Sequence, residues 1–276
     1  MTDLSPSEYE AFKSFLQDSS GILLGENKQR LLKARLRRLM SQQGFSSFSQ
    51  LLSSMREGQK GLLEAVIEAI TINEMLWFGD SLPFKALKTE ILPSLSKRLG
   101  RPIRIWSAGC SGGQDPYSIA ICIHEFRRES PKALQQEISI VATDISSSLL
   151  EQARRGEYEL LAIGRGLSAG RQAQFFESLP SGSWRIRPEI RSMVVFRALN
   201  LLQPFQSGKF DLISCRNVLI YFSPEHRKNI LQRFHDALEE GGYLILGSGE
   251  AVDVPVQFRP IHSPPGFVYY QKTSTH

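Results

Sequence analysis

The chain has 276 residues, 41% of them hydrophobic, which is enough apolar sequence for one large domain or two modest ones with real cores. This composition excludes a disordered, tail-like protein. Its 33 Lys and Arg residues outnumber its 28 Asp and Glu residues, and the net charge of +5 predicts an acidic partner. Charge alone does not separate nucleic acid, anionic lipid and an acidic protein surface.

The three cysteines, Cys110, Cys122 and Cys215, are odd in number and have no Cys-x-x-Cys spacing. This argues against a disulfide framework and against a structural zinc site, so no metal is expected. A reducing cytosol is the simplest setting. The N-terminus lacks a basic and then apolar leader, and no window reaches the roughly 18 apolar residues that span a bilayer. We therefore expect a soluble, cytoplasmic protein without direct membrane insertion.

Helical patterns fill the first 70 residues. Ser5-Pro-Ser-Glu8 has the composition of a capping box, and apolar residues at helical spacing follow it. Further helices are predicted at 26–43, 45–55, 62–70 and 82–99. Gly44 is expected to end the first of these, and Pro93 to kink or split the last.

From Arg101 onward, short β-branched runs alternate with helical patterns, which is typical of an α/β fold with a mainly parallel sheet. Strands are predicted at 103–106, 138–142, 193–196, 210–214, 243–246 and 267–270. The connection between the second and third of these is long and carries Trp184-Arg-Ile-Arg187. We therefore predict an insertion at about 158–197 with a little antiparallel structure.

A glycine-rich loop and three polar residues follow four successive predicted strands. The loop at 107–113 contains three glycines, and there main-chain N–H groups can meet a ligand at a helix N-terminus, although a merely compact turn uses the same residues. Asp144 ends the second strand, where it can accept both ribose hydroxyls of a nucleoside or cap the next helix. Asn200 and Asn217 follow the next two strands and fall on the same edge, where open α/β sheets bind ligands.

The spacing of the glycines and the residues around them indicate which class of nucleoside-containing ligand this edge of the sheet would bind. The loop lacks the Gly-x-Gly-x-x-Gly spacing of dinucleotide sites, and the chain lacks the glycine-lysine loop of nucleotide triphosphate hydrolases. No basic cluster accompanies the glycines, as a polyphosphate would favour. A cofactor with a nucleoside but no phosphate fits better, and S-adenosylmethionine is the common one.

Several strings resemble the chemotaxis-receptor glutamate methyltransferases of the CheR family across nearly the whole chain. They are Thr71-Ile-Asn-Glu with Trp77-Phe78, Trp106-Ser-Ala-Gly-Cys-Ser-Gly-Gly-Gln-Asp-Pro-Tyr-Ser118, Ala142-Thr-Asp-Ile145, Asn200-Leu-Leu202, Cys215-Arg-Asn-Val-Leu-Ile-Tyr-Phe222 and Gly241-Gly-Tyr-Leu. The resemblance implies an α/β, Rossmann-like methyltransferase domain at 101–276 with a small inserted β-subdomain. An all-α, receptor-docking domain at 1–75 and a linker with a helix at 76–100 would precede it.

The family transfers the methyl group of S-adenosylmethionine to glutamates on the cytoplasmic helices of methyl-accepting chemoreceptors, leaving S-adenosylhomocysteine. Matching positions imply these cofactor-binding residues: Asn73, Gly109, Asp115, Asp144, Asn200, Leu201, Asn217 and Val218. Tyr221 is implied near the transferred methyl group as the catalytic residue. Gln114 and Asp115 replace a Glu pair of the family, and Asp115 is favoured because only a carboxylate can pair with a cationic amine.

The chemistry agrees with this set of residues. A glutamate side chain, with an unperturbed pKa near 4.3, is already an anionic nucleophile at neutral pH, so no general base is required. Alignment of the reacting atoms and removal of water should supply most of the catalysis.

One position departs from the family pattern. Family members commonly have an arginine where this chain has Gly79, so a guanidinium that could hold the substrate carboxylate or the cofactor is missing. We therefore expect weakened activity unless another cation substitutes. The alternative function is a catalytically impaired relative that binds S-adenosylmethionine or S-adenosylhomocysteine as a regulator or binding module.

Positive charge concentrates in the second predicted helix, where six Lys and Arg residues fall between positions 28 and 38. Arg30, Lys33 and Arg37 share a sector away from the apolar stripe. A solvated face is the ordinary interpretation of such a helix, but the resemblance favours docking onto glutamate-rich receptor helices. Nucleic acid is not expected as a partner, since the aromatic residues of a single-strand binder are missing, and a monomer is expected.

Overall fold

The computed structural model describes residues 3–25, 28–71, 76–98, 100–250 and 254–273. Four helices come first: α1 Pro6–Ser20, α2 Gln29–Gln43, α3 Phe48–Arg56 and α4 Leu62–Ile70. Together they bury one apolar core that includes Phe12, Leu36 and Phe48. The capping box predicted at the start of α1 is confirmed, because Ser5 accepts the backbone N–H of Glu8 and the Glu8 carboxylate accepts the N–H of Ser5.

One predicted helix start is wrong, and another, at about residue 26, lies outside the described residues. The first residue of α2 is Gln29, with Lys28 at its N-cap, and positions 26 and 27 lie outside the described residues. The next helix begins at Phe48, three residues later than predicted, because the Ser47 side chain accepts the N–H of Gln50 and caps it there. Gly44 ends α2 with a φ of 78°, as predicted.

The stretch before the sheet is a helix interrupted by one wide turn. It consists of α5 Ser81–Ala86, a π-helical turn Leu87–Ile91 and α6 Leu92–Leu95. Pro93 has no N–H for the carbonyl four residues before it, so the helical hydrogen-bond pattern changes register there. The predicted helix is split, but by the π-helical turn Leu87–Ile91, which comes before Pro93 in the sequence.

From residue 103 the elements are β1 Ile103–Ala108, α7 Gln114–Glu129, β2 Ile138–Asp144, α8 Ser147–Arg155, β3 Glu157–Tyr158, α9 Leu160–Ile163, α10 Ala169–Phe175, β4 Phe176–Ser178, β5 Trp184–Ile186, α11 Pro188–Arg191, β6 Val194–Ala198, β7 Phe210–Cys215, α12 Pro224–Ala237, β8 Leu238–Leu246, β9 Phe258–Ser263 and β10 Phe267–Lys272. Seven strands form one sheet in the order β6-β2-β1-β7-β8-β10-β9. The first five are parallel, and the last two pair antiparallel at one edge. The predicted α/β fold is confirmed.

Alternation along β1 places its side chains in two cores. Ile105 packs with the core that includes α7, whereas Trp106 packs with α12 on the other face. Helices thus cover both faces of the sheet. The remaining strands form a separate antiparallel sheet in the order β3-β5-β4, which confirms the small inserted β-subdomain.

Two strand predictions need correction. β8 begins at Leu238, five residues before the predicted start, and Leu238 pairs with Phe210. The start was predicted too late because the Glu-Glu-Gly-Gly that follows Leu238 has the composition of a turn. β9 was not predicted, since Pro260 interrupts its pattern. An edge strand tolerates proline, because its outer N–H groups need no partner in the sheet.

Within the described ranges, no helix is long and apolar enough to cross a bilayer. The three cysteines are buried and free.

Candidate functional site

A cavity of about 690 Å³ lies at the carboxyl edge of the parallel strands, between the helical bundle and the sheet. This volume is within the range of small-molecule sites, about 300–1,000 Å³. Seven predicted cofactor-binding residues line it together: Gly109, Asp115, Asp144, Asn200, Leu201, Asn217 and Val218. Tyr221 lines the same cavity. Asn73 lies outside the described residues.

The glycine loop needs glycine at its first position for two reasons. Gly109 has a φ of 71°, which side chains disfavour. A Cβ atom there would also lie 2.4 Å from a methyl carbon of Val218. The loops after β1 and β7 therefore touch at Gly109, and this contact shapes the cavity wall.

Asp144 links the loops that follow β1 and β2. Its two carboxylate oxygens accept the backbone N–H groups of Ser111 at 2.7 Å and Ser146 at 2.9 Å. Burial raises the pKa of this carboxyl above its usual 3.8, and the backbone hydrogen bonds oppose the shift. The alternative that Asp144 caps the next helix is wrong, because Ser146 caps α8 by accepting the N–H of Leu149.

Asp115 is paired with a guanidinium. The Asp115 Oδ1 atom lies 2.7 Å from Nη1 of Arg216, and Ser214 Oγ donates to the other carboxylate oxygen at 3.1 Å. Arg216 Nη2 donates to the backbone carbonyl of Gly79. Arg216 also lines the cavity, so a cation occupies the wall beside the residue where the family carries its arginine.

Gly79 itself has little room for a side chain. A Cβ atom there would lie 2.9 Å from the Cβ atom of Leu76, which cannot move away without the backbone.

Gln114 lies next to Asp115 at the start of α7 and is only 4% exposed. It lines the cavity, and its side-chain oxygen has no hydrogen-bond partner within the described part of the chain. A buried acceptor without a donor is unfavourable unless a ligand supplies one. Gln114 is therefore a stronger candidate to bind an amine of the ligand than the sequence alone indicated.

The two asparagines are held by the backbone. Asn200 accepts the N–H of Leu202 at 3.0 Å and donates to the carbonyl of Ser19 in α1 at 3.1 Å. Asn217 has a φ of 58°, in the left-handed region that few residues other than glycine adopt.

The helical bundle covers the cavity from above. Leu23 donates its N–H to the carbonyl of Tyr221 at 2.7 Å, and Ile22 forms an isolated β-bridge with Phe222. Glu68 of α4 accepts a hydrogen bond from the Ser146 hydroxyl at 2.9 Å. Sequence reasoning missed these contacts, because nothing local in the first 70 residues indicates which face meets the sheet.

Two basic flanks run along α2. Lys28 lines the cavity, and Arg35 donates to the carbonyl of Ile70, one residue before the cavity-lining Thr71. On the other flank, Lys33 forms an ion pair with Asp3, and Arg37 lies 3.9 Å from the same carboxylate. Arg30 is exposed. Two of the three predicted docking residues therefore face the N-terminal segment.

These residues fit a nucleoside that carries an amino-acid arm. The Asp144 carboxylate has the acceptor chemistry that ribose hydroxyls require, and Ile145, Leu201 and Val218 present apolar side chains to the cavity. The unpartnered oxygen of Gln114 can accept an N–H from the arm. S-adenosylmethionine has all of these parts.

Comparison with known proteins agrees with this fit. A family model described as CheR methyltransferase, SAM binding domain, matches residues 73–267, and one described as CheR methyltransferase, all-alpha domain, matches residues 7–71. Chemotaxis protein methyltransferase 1 of Pseudomonas aeruginosa is 47% identical over 96% of this chain and 98% of its own length. Chemotaxis protein methyltransferase Cher2 of Pseudomonas putida is 45% identical over the same shares. A chemotaxis protein methyltransferase of Vibrio parahaemolyticus is 42% identical over 98% of both chains.

Proposed function

The chain belongs to the CheR family of S-adenosylmethionine-dependent chemotaxis methyltransferases, and from this premise we propose that it methylates glutamate side chains on the cytoplasmic helices of a methyl-accepting chemoreceptor. The product would be a glutamyl methyl ester. Because that part of a receptor lies in the cytoplasm, the enzyme would act there.

The observation that carries the proposal is the continuity of the basic helix α2 with the mouth of the cavity. Lys28 at the start of α2 lines the cavity, and Arg35 contacts the end of α4 at its rim. Charge of this sign attracts an acidic helix and sets its register. A glutamate on such a helix would then reach the cavity as an anion.

The chain's own residues would act by binding and orienting the reactants. When bound, S-adenosylmethionine supplies a methyl group on a positively charged sulfur, which is a good leaving group. Asp144 and Gln114 would hold the two ends of the cofactor, and the bundle above the cavity would limit the access of water. Tyr221 lines the cavity and stays the proposed residue beside the reacting groups.

Arg216 is relevant to whether this chain keeps its activity with Gly79 where the family has an arginine. Its guanidinium lies at the cavity wall and is hydrogen-bonded to the carbonyl of Gly79, so this chain has a cation in the region where the family arginine is missing. Arg216 belongs to the Cys215-Arg-Asn-Val string that carries the family resemblance, so it does not replace the missing arginine; we propose that it supplies the guanidinium that this wall of the cavity retains. The alternative of an impaired relative continues to depend on Gly79.

The direct test is transfer of labelled methyl from S-adenosylmethionine to purified receptor cytoplasmic domains, with the modified residues mapped by mass spectrometry. We expect base-labile label on a small set of glutamates. Binding of S-adenosylhomocysteine without transfer to any receptor of a panel would contradict the proposal. A receptor variant with Gln at the mapped glutamates is the matched control and should take up no label.

Docking through α2 has its own test, because the helix offers two sets of three cations. Charge reversal of Lys28, Arg35 and Arg38, the last of which lies one helical turn after Arg35, alters the flank next to the cavity, whereas reversal of Arg30, Lys33 and Arg37 alters the sector predicted from sequence. We expect either set to raise KM for the receptor more than KM for the cofactor, with the larger effect on the cavity side. Equal KM values for the receptor in both variants and the parent would contradict docking on this helix.

A further inference from the structure

A buried carboxylate lies behind the loop that follows β7. Glu250 is 1% exposed and does not line the cavity. Its Oε2 atom accepts the backbone N–H groups of Asn217 and Gly247, both at 2.8 Å. Its Oε1 atom accepts those of Val218 at 2.8 Å and Ile220 at 3.2 Å. One side chain therefore satisfies four backbone donors on two loops.

Three of those four donors belong to the loop that forms one wall of the cofactor cavity. Asn217, Val218 and Ile220 line the cavity, and Tyr221 follows Ile220 directly. Asn217 lies in the left-handed region, which Asn adopts more readily than most other L residues. The carboxylate of Glu250 fixes this conformation, because it accepts the N–H groups on both sides of the Asn217 Cα atom.

Gly247, at the start of the segment that leads to Glu250, has no room for a side chain. A Cβ atom on Gly247 would lie 2.4 Å from the side-chain oxygen of Asn217 and 2.5 Å from Oε2 of Glu250. The neighbouring Ser248 donates its hydroxyl to Asp80 at 2.7 Å. The segment at 247–250 therefore joins the wall of the cavity to the loop that contains Gly79.

We propose that Glu250 is a positioning residue of the cofactor site. Its carboxylate holds the backbone at 217–220 so that Val218 meets Gly109 and Asn217 faces the cavity. It acts through these residues and touches neither the cofactor nor the substrate. The inference concerns the cofactor cavity and holds whichever protein is methylated, so it can fail while the proposed function stands.

A buried carboxylate can also serve stability alone, and the chain offers a matched control for that role. Asp211 is 0% exposed and lies near the start of β7, whereas Glu250 binds the loop after its end. The Asp211 carboxylate accepts hydrogen bonds from the guanidinium groups of Arg98 and Arg101 and from the backbone N–H of Arg104. Asp211 thus closes the opposite edge of the sheet from the cavity.

The test compares Glu250→Gln with Asp211→Asn. Each variant replaces an anionic acceptor with an amide, and both should lower the melting temperature. In Glu250→Gln the amide NH2 faces backbone donors, so at least two N–H groups lose their acceptor. We expect the Kd for S-adenosylhomocysteine, measured by calorimetry on folded protein, to rise about tenfold or more in Glu250→Gln and to stay within about twofold of the parent in Asp211→Asn.

Kinetics separate positioning from stability further. We expect Glu250→Gln to raise KM for S-adenosylmethionine, and Glu250→Asp to recover part of the affinity because it keeps the anionic acceptor one methylene shorter. If Glu250→Gln does not fold, Glu250→Asp and Gly247→Ala carry the test, since both disturb the same contact and should weaken cofactor binding. Unchanged cofactor affinity in folded variants, or equal weakening in Asp211→Asn, would overturn the proposal.

Discussion

Replacing Arg216 with alanine removes the guanidinium that joins Asp115 to the carbonyl of Gly79. The Arg216 side chain is 9% exposed, and it leaves behind an Asp115 carboxylate that is 23% exposed, with the Ser214 hydroxyl at 3.1 Å as its nearest remaining donor. Loss of one partner of a fully buried pair destabilises a fold by about 3–5 kcal/mol. Because Asp115 borders a cavity that water can enter, we expect less, about 2–3 kcal/mol.

For a chain of this size, such a loss lowers the melting temperature by about 5–10 °C, which differential scanning calorimetry resolves. Arg216→Lys should lose less, because the ammonium keeps the charge but cannot reach both acceptors. Adding Asp115→Asn to Arg216→Ala should cost less than the sum of the single changes, since neither charge is then left alone. Strict additivity in this cycle would refute the pairing.

The same site decides what an arginine at position 79 would do. Sequence comparison alone predicts that Gly79→Arg raises activity. The contact of 2.9 Å between a Cβ atom there and Leu76, together with the guanidinium already present, leads us to expect no gain and a loss of stability. Methyl transfer that rises in Gly79→Arg while Arg216→Ala keeps parental activity would refute the role given to Arg216.

Three further predictions concern the cavity. Asp144→Asn should weaken S-adenosylhomocysteine binding about tenfold, because the variant loses the charged acceptors. Burial raises the pKa of Asp144 above 3.8, so the affinity of the parent protein should fall on acidification in a pH range where an exposed Asp stays ionised. Titration calorimetry at several pH values measures both effects. Since this folded-state pKa exceeds the unfolded value, ionisation destabilises the fold as pH rises between the two, and a flatter stability profile in Asp144→Asn would show it. Gly109→Ala should lower the free energy of unfolding by about 2–5 kcal/mol, because left-handed strain adds to a contact of 2.4 Å with Val218. Gly44 has a φ of 78° and nothing within 4 Å, so Gly44→Ala should show the strain alone. Equal denaturant midpoints for the two variants would contradict this packing. Gln114→Leu should weaken binding of S-adenosylhomocysteine but not of adenosine, which lacks the amino-acid arm, and equal losses for both ligands would place Gln114 elsewhere.

The cavity residues that sequence could predict are those governed by a local rule. Polar residues after parallel strands meet at one edge, so Asp144, Asn200 and Asn217 come together whatever the details of packing. The helix that Ser5 caps was predictable for the same reason, since all of its signals lie within four residues.

The residues that were missed depend on contacts between distant parts of the chain. Arg216 lies within a string that indicated the family, but nothing local predicts that its guanidinium reaches Asp115, which is 101 positions away in the sequence. Glu250 follows β8 in a glycine-rich turn whose only local signal is flexibility. Its role depends on the loop after β7, which only the assembled sheet brings within hydrogen-bond distance.

The bundle above the cavity would couple the two proposed binding events, those of the receptor and of the cofactor. Ser19, Leu23 and Glu68 each contact a residue of the cavity wall or its immediate neighbour, and these segments belong to the same four-helix core as α2. A receptor that bound one state of this bundle more tightly would therefore change the affinity of the cavity for its ligand. Thermodynamic reciprocity requires that the ligand change receptor affinity by the same factor. Exchange of spent S-adenosylhomocysteine for fresh cofactor would then set how long the enzyme stays on each receptor.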